Sequence, residues 1–142
     1  MGTTVKEIFD NFSNKITDYK ILELEDEDVH TMCLMWLKSA IAHQKKINHD
    51  FAIDESIEEF IEELNDTEKE LLSLGMVIEW LRPQIYSTDL TSQFIAGKEE
   101  KFYAQSTHLN ALKDLLKETR LEKNRLAKGY GYRNNRYLNP NS

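Results

Sequence analysis

The sequence predicts an all-α fold, a helical bundle of about four to five helices with one long C-terminal helix and an extended C-terminal tail. Three observations predict it. Apolar residues recur at intervals of three and four along most of the chain. Five Gly and two Pro in 142 residues are too few for the many turns of a sandwich or barrel. The stretch from Lys98 to Lys128 contains no helix breaker at all. With 40% hydrophobic residues, a chain of this length can bury one core without disulfides or a structural metal.

Thr4 and Glu7 have capping-box spacing, and Val5, Ile8, Phe9, Phe12 and Ile16 follow at helical intervals, which predicts a first helix over about 4–17. After a connection through Tyr19–Leu24, the acids Glu25 to Asp28 stand where a helix N-terminus favours negative charge. Val29, Met32, Cys33, Trp36, Leu37, Ala40 and Ile41 then mark a second helix that fades at Lys45-Lys46. Residues 48–54 read as a loop whose Asp54 caps a short third helix carrying Ile57, Phe60, Ile61 and Leu64 inward and Glu58, Glu59, Glu62 and Glu63 outward.

A second capping box, Thr67 to Glu70, opens a run from Leu71 to Leu81 that is apolar nearly all round and belongs at the centre of the bundle. Gly75 lies inside that run. Pro83 is expected to stop or kink this helix, and Ser87–Ser92 is polar enough for a turn. The last helix, from Lys98 to about Lys128, places Phe102, Leu109, Leu112, Leu116 and Thr119 along one side and is longer than a compact domain needs. Part of it is expected to project or to pack on another subunit. Gly129-Tyr130-Gly131 is expected to end it, which divides the chain into a bundle, 1–128, and a mobile basic and aromatic tail, 129–142.

The sequence offers no locatable catalytic or cofactor site. Glu27 and His30 have the spacing used in di-iron bundles, but the second Glu-x-x-His that such a site needs is missing. His49-Asp50 lacks the further His and Asp of a phosphohydrolase, and His43 and His49 are six apart, no standard metal spacing. Phosphate loops, dinucleotide fingerprints, nucleophile elbows and zinc clusters are absent from the sequence. Cys33, the one cysteine, sits among apolar neighbours as a small buried hydrophobe. A non-enzymatic protein with no cofactor and no metal is expected. With neither an apolar run of membrane-spanning length nor a signal pattern at Met1–Lys6, no membrane partner is expected and the chain should remain in the cytoplasm.

Charge is segregated. The net charge is −7, yet residues 113–142 hold eight cations and three acids, +5, which leaves −12 for residues 1–112. The cations Arg125, Lys128, Arg133 and Arg136 interleave with Tyr130, Tyr132 and Tyr137, and these seven are the candidate partner-binding residues. Three uses suit them: docking on an acidic protein surface, solubilising the chain, or binding single-stranded nucleic acid. The acidic body would repel a polyanion, which favours the first.

Trp36-Leu37-Lys38-Ser39-Ala40-Ile41, the run Met76–Ile85, and Gly129–Tyr137 on an acidic helical chain together resemble the small head-to-tail connector proteins of tailed bacteriophages, the adaptor or head-completion subunits. The resemblance covers residues 25–137 and is one of pattern. It implies a structural virion protein of the neck, assembled in the bacterial host cytoplasm, that joins the portal of the DNA-filled head to the tail. Its implied partners are the portal protein, neighbouring copies in a ring (a dodecamer), the next tail-completion protein, and genomic DNA passing through the lumen without specific binding. The C-terminal arm would dock into the portal, and acids of residues 50–70 would line a lumen past which DNA slides. The alternative is a small helical regulatory or host-interaction protein that binds one protein partner through the same tail.

Overall fold

A computed structural model describes the backbone of residues 2–16, 26–44, 50–94 and 99–134 and the side chains of 2–16, 27–44, 50–89 and 106–130. Among these residues the fold is an all-α bundle of four helices with one small hairpin: α1 (Val5–Lys15), α2 (Asp26–Ala42), β1 (Ile53–Asp54), β2 (Glu59–Phe60), α3 (Asp66–Phe94) and α4 (Glu99–Asn134). The expected connection at Tyr19–Leu24, the fading at Lys45-Lys46, His49, and the side chains of Phe94 and Phe102 lie outside the described residues.

Helix α1 begins as its sequence predicts, with the Thr4 hydroxyl accepting from the Glu7 amide at 3.3 Å, and it buries Val5, Ile8, Phe9 and Phe12. Phe12 is the hub of an aromatic cluster. Its ring lies 5.6 Å from Trp36 of α2 and 6.4 Å from Trp80 of α3, centroid to centroid, so both tryptophans are buried core residues. Cys33 is buried in the same core, and burial pushes its thiol up to about 11, which keeps it protonated and unreactive at neutral pH.

The short third helix expected over residues 57–64 does not form. Instead β1 and β2 pair antiparallel, Ile53 with Phe60 and Asp54 with Glu59. The four-residue turn between them is held by the Asp54 carboxylate, which accepts from the Ser56 amide and hydroxyl at 3.0 and 2.6 Å. Glu58 takes a left-handed φ of 52° to close it. Asp54 therefore caps a turn, not a helix. Backbone hydrogen bonds lace this hairpin to the N-terminal segment: Phe60 N to Thr3 O at 2.9 Å and Val5 N to Glu58 O at 3.0 Å. The buried Thr3 hydroxyl accepts from Leu64 N at 3.0 Å. Phe60 and Leu64 are buried while Ile57 and Ile61 are 62% and 66% exposed. A helix here would have set Glu58 against Glu62 and Glu59 against Glu63, like charges at i, i+4 that oppose helix formation.

Helix α3 is the central element, with 71–78 buried without interruption. Its capping box lies two residues earlier than Thr67–Glu70. Asn65 accepts from the Glu68 amide and the Glu68 carboxylate accepts from the Asn65 amide, both at 2.8 Å, the reciprocal arrangement that satisfies two orphan donors. Glu70 pairs instead with Lys15 of α1. Nor does Pro83 stop the helix, which runs on to Phe94 through Ser87–Ser92. The proline is exposed, so its ring displaces no core side chain, and Gln84 Nε2 donates to Trp80 O at 3.0 Å nearby.

Helix α4, 36 residues long, packs antiparallel along α3, its Tyr130 reaching Glu68. Because α3 itself continues for 29 residues, the C-terminal part of α4 finds its partner within the chain. Beyond Ile85 and Leu109 no described side chain of the α3–α4 hairpin joins the buried core. None of the described helices is long and apolar enough to cross a membrane.

Candidate functional site

The candidate partner-binding residues divide sharply in the structure. Gly129 and Gly131 do not end α4, which continues to Asn134, so the boundary expected at 128–129 falls inside a helix. The cause is Tyr130. Its half-buried ring packs against the hydrophobic core, and its hydroxyl donates to Glu68 Oε2 at 2.8 Å. The other oxygen of that buried carboxylate holds the cap of α3, so a single side chain ties the start of α3 to the end of α4. Burial, with Glu68 beside it, pushes the Tyr130 phenol up to about 12. Two glycines cost a helix about 2 kcal/mol together, and packing plus a hydrogen bond to a charged acceptor offsets that. Tyr130, expected to lie in a mobile tail, is thus an internal anchor.

Arg125 and Lys128 are exposed on α4. Arg125 lines a shallow cleft of about 320 Å³ with Glu70, Glu122, Leu126 and Gly129. The side chains of Tyr132 and Arg133, and all of Arg136 and Tyr137, lie outside the described residues. Of the seven candidates the structure brings together Arg125 and Lys128 as solvent-facing cations, with Tyr130 fixed behind them.

A second polar constellation was not singled out by the sequence. Where α2, α3 and α4 meet, Ala40, His43, Gly75, Ile78, Glu79, Arg82, Arg120, Lys123 and Asn124 surround a cavity of about 250 Å³. A Cβ on Gly75 would stand 2.8 Å from Ala40 Cβ, so the missing side chain allows the α2–α3 crossing, and Lys123 Nζ lies 3.6 Å from the same point, at contact distance. Glu79 accepts from His43 Nδ1 at 2.9 Å and lies 3.6 Å from Arg82. Lys123 has its ammonium held below the usual lysine range, chiefly by burial; Arg82 adds to the effect and Glu79 opposes it. Glu79, one charge inside the apolar run Met76–Leu81, was the readable signal of this site.

His30 sits edge-on to Phe9 at 5.6 Å and bonds Glu58 at 2.7 Å, while Glu27 is exposed. Among the described residues no group of three or more His, Cys, Asp or Glu could hold a metal ion. Comparisons of the chain with protein-family models, with curated proteins and with solved structures give no match.

Proposed function

We propose that this chain is a non-catalytic assembly subunit that binds an acidic protein surface through the C-terminal end of α4, and that it serves as an adaptor between portal and tail in the neck of a tailed phage. The supporting observation is the Glu68–Tyr130 link, which holds Arg125 and Lys128 outward on a helix braced by the bundle. The adaptor role rests on the resemblance of sequence pattern. Self-association in a ring draws on exposed apolar side chains, Leu115 and Leu121 on α4, Ile57 in the hairpin turn and Ile61 just after β2.

The test is co-sedimentation with a purified portal ring, followed by imaging of necks by cryo-electron microscopy. Wild-type chain should bind, and the quadruple substitution R125E, K128E, R133E and R136E should lose binding while its melting temperature stays within about 2 °C. Binding that survives charge reversal overturns the docking surface. Absence from necks, with capture of one soluble host protein instead, favours the regulatory reading.

A further inference from the structure

We propose that the cavity at the meeting of α2, α3 and α4 is a binding site for a doubly charged tetrahedral oxyanion, phosphate or a phosphate monoester. Three permanent cations, Arg82, Arg120 and Lys123, face it against the one carboxylate of Glu79. That leaves a local charge of +2, in a chain whose overall charge is −7. The existing ion pairs do not absorb this excess. Glu79 is only 13% exposed and is engaged by His43 and Arg82, whereas Arg120 and Lys123 make no hydrogen bond or ion pair with any described residue.

An ammonium drawn half out of water with no ion-pair partner is costly. Helix α4 could have avoided that cost by turning the lysine outward, yet Lys123 is turned in over Gly75. An anion in the cavity would supply the missing partner. Lys123 would act as a point charge at the floor, while the two guanidinium groups offer planar donor pairs suited to oxyanions. The Asn124 amide adds a neutral donor beside them. The dianion matches the +2 excess, which a single carboxylate would halve, and about 250 Å³ leaves space for part of the group that carries the phosphate. A nucleic-acid strand is disfavoured because the chain as a whole carries a charge of −7. The site is independent of the docking surface, since Arg120 and Lys123 line this cavity while Arg125 lines a separate cleft.

Isothermal titration of the full chain in phosphate-free buffer tests the proposal, with inorganic phosphate, glycerol 3-phosphate and acetate as separate titrants. Phosphate or the monoester should bind at one site with a Kd on the order of 1 mM or tighter, and acetate about tenfold more weakly. Tighter binding of glycerol 3-phosphate identifies a monoester as the ligand, and equal or weaker binding identifies the free ion. K123M should weaken phosphate binding by about tenfold or more and melt no lower than wild type. E79Q should strengthen binding several-fold by removing the competing charge. Should K123M fail to fold, R120Q, an exposed change, should still weaken binding about threefold. No saturable binding by wild type, undiminished binding by K123M or R120Q, or acetate binding as tight as phosphate overturns the proposal.

Discussion

Replacing Gly75 with alanine adds one methyl group where α3 lies close against Ala40 of α2. Intrinsic propensity favours the change, because alanine is better than glycine in a helix interior by about 1 kcal/mol. Packing opposes it. The new Cβ would stand 2.8 Å from Ala40 Cβ, about 1 Å inside the optimal carbon–carbon separation. Since Ala40 Cβ is fixed to its backbone and cannot rotate away, the helices must separate. That would loosen the contacts of Trp36 and Leu37, both buried on α2 beside the crossing. Overpacking of this kind costs about 2–3 kcal/mol, so the net loss should be about 1–2 kcal/mol and the melting temperature should fall by about 3–6 °C. Thermal and urea unfolding followed by circular dichroism measure both. The partner substitution supplies an internal control. Ala40→Gly alone should also destabilise, while the pair Gly75→Ala, Ala40→Gly exchanges the methyl across the interface and should recover about 1–2 kcal/mol relative to the sum of the single changes. A Gly75→Ala protein that is more stable than wild type, or additive behaviour in the double variant, would refute the close crossing.

Other substitutions probe the rest of the core. Tyr130→Phe removes a hydrogen bond to the buried Glu68 carboxylate and should cost about 1.5–3 kcal/mol; a loss below about 0.5 kcal/mol in urea unfolding would refute the link. Because the folded state raises the Tyr130 phenol to about 12, against about 10 unfolded, its contribution is complete below pH 10 and is lost as pH rises towards 12. Alkaline melting curves should therefore be shallower for Tyr130→Phe than for wild type over that window, and identical slopes would contradict the shift. Trp36→Ala and Trp80→Ala should each cost about 3–5 kcal/mol, since both pack on Phe12; a small loss in either would place that tryptophan outside the core. Cys33, raised to about 11 by burial, should react with a thiol reagent at pH 8 only at the rate of opening, and immediate labelling of the native protein would show an accessible thiol.

The helices that were legible in the sequence are those whose burial follows local period. The stripes Val5–Phe12 and Cys33–Ala40, and the apolar run Leu71–Leu81, each read directly onto the buried faces of α1, α2 and α3. The hairpin was not legible. Its apolar residues Ile57, Phe60, Ile61 and Leu64 fit a helical stripe, and the choice against it is made by backbone bonds to Thr3 and Val5, more than fifty residues away in the sequence. The cap of α3 was misplaced for a smaller reason: Asn65–Glu68 and Thr67–Glu70 share one spacing, and only the actual helix start selects between them. Pro83 and Gly129 were read as breakers from local propensity alone, yet α3 carries Pro83 on its exposed side and Tyr130 holds α4 together past the glycine. The cationic cavity draws on three helices, so its polar side chains at positions 43, 79, 82, 120 and 123 form no local motif.

Glu68 bears directly on the proposed docking by the basic end of the chain. An arm that is unstructured until it meets a partner would lose about 1–2 kcal/mol of backbone entropy per residue on ordering, and buried aromatic anchors would have to compensate. For residues up to Asn134 that loss belongs to folding, because they are already helical and Tyr130 is already spent on Glu68. The cations at 125 and 128 are therefore presented at a fixed angle to the bundle, and their charge can contribute to affinity as well as to encounter rate. The same arrangement couples stability to binding. Glu68 serves the cap of α3 with one oxygen and Tyr130 with the other, so a substitution at this buried side chain loosens both ends at once. A loss of binding at Glu68 would accordingly report disorder of the α4 terminus, whereas a loss at Arg125 or Lys128 with unchanged melting reports the contact itself.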